Sequence, residues 1–72
     1  MVDENRFRIR LEILKRHQPL VFAKLVEMSR GQTVKMPAEA RIGLIEAAIL
    51  SDGGTLPARM GRLVLELDGD GQ

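Results

Sequence analysis

A chain of 72 residues with no cysteine and a single histidine is too short for more than one domain, and it has no disulfide or histidine–cysteine metal cluster to fasten a small core. Its composition, 44% hydrophobic and 29% charged with two aromatic residues, excludes a disordered chain and points to an aliphatic core. The formal net charge is +1, but residues 1–35 carry +4 and residues 36–72 carry −3, an asymmetry that suggests an anionic partner for the first half.

The first element in chain order is RFRIRLEI, residues 6–13. Arg6, Arg8, Arg10 and Glu12 share one parity, and Phe7, Ile9, Leu11 and Ile13 share the other, which predicts a β-strand with a basic outer face. A helix is the alternative, because Arg, Leu, Glu and Lys favour helices and Leu14 prolongs the apolar series. Residues 15–18 form a basic connector.

Pro19 suits the first turn of a helix, where its missing amide is not needed. From Pro19 to about Arg30, Val21, Phe22, Leu25, Val26 and Met28 fall on one arc, and Gly31 supplies a left-handed terminator. A second helix is predicted from Pro37 to Leu50 or Ser51, with Glu39 in its first turn. Ile42, Ile45 and Ile49 line one side of it, while Ala40, Gly43 and Ala47 form a row of small side chains that another helix could approach closely. After a loop through Thr55, Leu56 and Pro57, the alternation RLVLEL predicts a short strand over residues 62–67. The expected architecture is an α+β strand-helix-helix-strand domain over residues 1–67, with a flexible tail over 68–72.

Such a small domain buries only about 60% of the surface its unfolded chain exposes. An intertwined homodimer is therefore the expected remedy, held by Ile42, Gly43, Ile45, Ala47 and Ile49. No apolar run reaches the roughly 18–20 residues a bilayer requires, and residues 1–5 lack the basic start and apolar core of a secretory signal. No membrane partner and a cytoplasmic location are expected.

Residues competent for chemistry are sparse. His17 lies beside Arg16 with no cysteine or tyrosine anywhere in the chain, and Ser29 and Ser51 read as helix-end residues without a nucleophile motif. Asp68-Gly69-Asp70-Gly71 begins like a calcium loop but lacks the downstream glutamate. Gly53-Gly54 lacks the strand-to-helix context of a phosphate loop. The chain is expected to have no catalytic residue, metal site or cofactor, and not to be an enzyme.

A two-stranded basic ribbon fits the DNA major groove, where arginines can contact guanine edges or phosphates. Arg6, Arg8 and Arg10, with Lys15 and Arg16 in the connector, are the candidate contacts to double-stranded DNA. The order of elements resembles the ribbon-helix-helix family, in which two strands pair across a dimer and enter the major groove. That resemblance would turn Arg6, Arg8 and Arg10 toward the bases and Phe7, Ile9 and Leu11 toward the core. It would also set Gly31-Gln32-Thr33 at the turn between helices and PAEARIGLIEAAI, residues 37–49, in the second helix. The expected function is thus a small DNA-binding regulator or accessory protein. The rival expectation is a protein-interaction module that docks through its strand or its apolar second helix.

Overall fold

The structure, a computed structural model, describes residues 4–69. These residues form four helices and no strand: α1 (Glu4–His17), α2 (Pro19–Ser29), α3 (Ala38–Glu46) and α4 (Ala58–Gly69). The predicted α+β class is therefore corrected to an all-helical one. The intertwined dimer built on a shared ribbon is corrected with it, because the segment meant to pair with its copy is a helix packed inside its own chain.

The first predicted strand is α1. Its alternation is real, but a second pattern overlies it: Phe7, Leu11 and Leu14 stand at the i, i+4, i+7 spacing that brings side chains to one helical face. Leu11 is fully buried, and Phe7 and Leu14 pack beside it. Ile9 and Ile13, which a strand would have turned inward, remain 51% and 54% exposed. Glu4 in the first turn and Lys15, Arg16 and His17 in the last turn complement the helix dipole. The helix stops at Gln18, whose φ of −135° and ψ of 65° meet the requirement that a residue before proline leave the α region.

The second predicted strand is α4. Met60, Leu63, Val64 and Leu67 recur at i, i+3, i+4, i+7, and all four are buried. Leu65, the middle member of the apparent alternation, points outward at 39% exposure. Pro57 supplies the carbonyl that accepts the first helical hydrogen bond, from the Gly61 amide at 2.9 Å. Asp68 and Gly69, expected in the tail, complete this helix, while residues 70–72 of that tail lie outside the described residues.

The expected arc of α2 holds in the structure: Phe22, Leu25 and Val26 are buried, with Val21 and Met28 packed against the core. Gly31 takes the left-handed conformation at φ 82°. Its amide donates to the Met28 carbonyl and that of Gln32 to the Glu27 carbonyl, both at 3.0 Å, so the two amides satisfy carbonyls that the helix end leaves open.

The predicted helix from Pro37 to Leu50 or Ser51 is shorter than its sequence suggests. It ends at Glu46, and Ala47–Leu50 form a turn. The same double hydrogen bond closes it: Ala48 donates to Ile45 at 3.0 Å and Ile49 to Leu44 at 2.9 Å. Ala48 occupies the left-handed position at φ 64°, where glycine is the usual residue. The turn reverses the chain so that Ile49 and Leu50 enter the core beside Leu44.

α2 and α4 make the most extensive contact, and α1 packs across both. Buried residues from all four helices and the 47–50 turn join in one aliphatic cluster around Leu11, Leu25 and Val64, each essentially inaccessible. α3 contributes to that cluster mainly through its C-terminal end, and its outer and N-terminal faces stay open. Ile42 is 54% exposed, and a side chain added at Gly43 would meet nothing within 4 Å.

Candidate functional site

The five cations proposed to read DNA do not share a surface. On a helix, positions 6 and 10 lie on one side of α1 and position 8 on the other. Arg8 pairs with Glu66 of α4 at 2.9 Å. Lys15 donates to the Leu67 carbonyl in the last turn of α4 at 2.6 Å, and its ammonium stands 5.7 Å from the centre of the Phe22 ring. Arg10 donates through Nη1 to the Ala47 carbonyl at the end of α3, at 2.7 Å. Lys15 and Arg10 thus bring positive charge and N–H donors to carbonyls that terminate two other helices, where the dipole is negative. Arg6 and Arg16 are exposed.

The residues proposed for a dimer interface also divide. Ile49 is buried, and Ile45 packs against the core from a half-buried position. Ile42 faces outward on α3. Gly43, Ala47 and Ile49 line a groove of about 370 Å³ between α1, the start of α2, and α3.

That groove has a coherent lining. Ala40, Gly43 and Ala47, spaced along α3, form a wall with almost no side-chain bulk. Ile13 and Leu14 of α1 and Val21 of α2 line it as well, and the buried Leu44 and Ile49 connect the lining to the core. Polar groups complete it: Arg10, and His17, Gln18 and Glu39. The bond from Arg10 to Ala47 sets Arg10 at the C-terminal end of α3, whereas Glu39 lies in the first turn of that helix. Arg6 and Phe7 extend the arginine end, where a smaller depression includes Arg10 and Ala48. Sequence reasoning singled out the small-residue row but missed Ile13, Val21 and Glu39 as its companions. The available signal was that helical spacing puts Arg6, Arg10, Ile13 and His17 along one side of α1.

The lining contains no serine, threonine, cysteine or lysine, so it pairs no nucleophile with the His17 imidazole. Among the described residues, no group of three or more His, Cys, Asp or Glu side chains is placed to hold a metal ion. No helix of the described residues is long and apolar enough to cross a membrane. A second depression lies between the end of α2 and α4, where Met28, Leu56 and Leu65 adjoin Arg62 and Glu66.

Comparison with known proteins finds no matching family model, no significantly similar curated protein and no significantly similar solved structure.

Proposed function

We propose that the chain is a non-enzymatic protein-interaction module whose α1–α3 groove takes a helix from a partner polypeptide. The observation that carries this reading is the row Ala40, Gly43, Ala47 lining the groove, with Gly43 exposed and the two alanines half-buried, and with Ile13 and Val21 lining the same space. Small residues allow a helix backbone to come close, and the aliphatic groups then bury against its apolar stripe, which is the helix-in-groove mode of recognition. The groove volume lies within the range of ordinary binding clefts, and its lining is mostly aliphatic with a few polar groups, a composition suited to a hydrophobic ridge with polar flanks.

The DNA-reading role depended on a ribbon that presents three arginines together. With that stretch helical, Arg8 and Arg10 are engaged with groups of the same chain on two different sides of α1. The protein-interaction reading therefore has the stronger support.

The test is a titration of the isotope-labelled chain with an amphipathic helical peptide carrying leucine or isoleucine at i, i+3, i+4 and i+7, followed by amide chemical shifts. Saturable shifts centred on Ala40, Gly43, Ala47 and Ile13 are expected. Saturable binding to duplex DNA instead, with those amides unmoved, would replace this reading with the nucleic-acid one.

A further inference from the structure

The groove has charge at both ends, and the sign differs between them. At the Ala47–Ala48 end stand Arg10 and, just outside, Arg6. At the opposite end of α3 the charged lining residue is Glu39, in the first turn of that helix. The bond from Arg10 to Ala47 uses one terminal nitrogen of a guanidinium with five N–H donors, so that bond does not exhaust its capacity to meet an acceptor.

A helix has its own polarity, positive at the N-terminus and negative at the C-terminus. An occupant would meet favourable fields at both ends by placing its N-terminal turn at Glu39 and its C-terminal turn at Arg10. Nine residues from Glu39 to Ala47 span about 12 Å of helix, or slightly more than two turns, so both ends of a short helix fall within reach of these charges. We infer that the groove selects an amphipathic helix running parallel to α3, with basic residues in its first turn and acidic residues in its last. This rests on the helix-binding reading above and adds partner chemistry and direction to it. The occupant is a segment of another polypeptide.

The experiment uses two 14-residue peptides of identical composition and the same leucine stripe, one with lysines first and glutamates last, the other with that order reversed. Free helices prefer the reversed order, because acidic residues stabilise a helix N-terminus and basic residues a C-terminus. Tighter binding of the lysine-first peptide is therefore not a helicity effect. The intact chain is expected to bind the lysine-first peptide about tenfold tighter at low salt, with the ratio shrinking severalfold near 0.5 M salt as the charges are screened. Glu39→Lys, a change at an exposed position, should reduce the ratio, and Arg10→Glu should reduce it further or reverse it.

Equal affinities at every salt concentration would overturn the charge inference and leave the groove reading intact. Failure of both peptides to shift any groove amide would overturn the groove reading itself. A solution mass of two chains, with groove amides buried in the absence of peptide, would assign the groove to a second copy and overturn the foreign partner.

Discussion

The Nη1 of Arg10 donates to the carbonyl oxygen of Ala47 across 2.7 Å, tying the first helix to the end of the third. The contact falls where the chain most needs it. Ala47 is the C-cap of α3, and the next residue, Ala48, is forced into a left-handed conformation to bring Ile49 and Leu50 back to the core. A cation there satisfies an open carbonyl and opposes the negative end of the helix dipole. Because Arg10 is exposed, solvent screening limits the effect. Arg10→Ala is expected to destabilise the chain by about 0.5–1 kcal/mol in urea denaturation. Arg16→Ala, on an exposed part of the same helix, should cost about 0.5 kcal/mol or less. Equal losses in the two variants would show that the Ala47 contact contributes nothing.

Lys15 has a related role in a more enclosed setting. It reaches the Leu67 carbonyl in the last turn of α4, and its charge faces the Phe22 ring. Removing it leaves the Leu67 carbonyl without this donor and loses a half-buried side chain. Lys15→Ala should cost about 1–2 kcal/mol, more than Arg10→Ala. Lys15→Met keeps most of the stem, so it should recover part of that loss. The two denaturation midpoints separate packing from charge.

The two helix ends that share one hydrogen-bonding pattern provide a matched pair. Gly31 and Ala48 both stand in the left-handed position, and only one of them is glycine. A side chain in that conformation costs on the order of 1 kcal/mol relative to glycine. Ala48→Gly is therefore expected to raise stability by about 0.5–1 kcal/mol, and Gly31→Ala to lower it by about 1 kcal/mol. Thermal unfolding of both variants checks the signs. A destabilised Ala48→Gly would mean that the α3 turn has another conformation.

The middle of the chain was legible in the sequence and its two ends were misread, for a common physical reason. Pro19 and Gly31 bracket α2, and its apolar arc cannot be accommodated by any period but the helical one. RFRIRLEI and RLVLEL each contain alternate apolar residues, yet Leu14 directly follows Ile13 at the end of the first and Val64 stands between Leu63 and Leu65 in the second, which breaks strict alternation and fits a helix seam. Extending the windows settles both: Phe7–Leu11–Leu14 and Met60–Leu63–Val64–Leu67 are the residues the core accepts. The row Ala40–Gly43–Ala47 was visible, but the partner wall was not, because Ile13 and Val21 come to it only through the break at Gln18 and the reversal at Ala48. Arg10 and Lys15 read as solvent-facing charges because a helix C-terminus thirty or more residues away leaves no trace beside them in sequence.

The corrected first helix makes a prediction that a strand would not. Leu11 is fully buried, whereas Ile9, on the same parity, is half exposed. Leu11→Ala should cost about 3 kcal/mol from lost burial and a residual cavity. In a domain of this size, expected to have about 4–10 kcal/mol of stability, that is a large fraction of the total. Ile9→Ala should cost about 0.5–1 kcal/mol. Similar penalties at the two positions, measured in urea, would restore the strand reading.

The most direct handle on the groove is Gly43. It lies in the interior of α3, where glycine is less favourable than most residues by up to about 1 kcal/mol, and an added Cβ would meet no heavy atom within 4 Å. Gly43→Leu should therefore fold at least as stably as the parent chain, with an unchanged or higher unfolding temperature. The new side chain projects from the small-residue wall, in the register between Ala40 and Ala47, into the space an incoming helix would occupy. Peptide affinity should fall by at least tenfold, while Gly43→Ala, which adds only one methyl group, should raise stability and weaken binding much less. A leucine variant that folds and still binds with the parent affinity would place the docking surface elsewhere on the molecule. The depression between α2 and α4, beside Met28 and Leu65, is the next surface to substitute in that event.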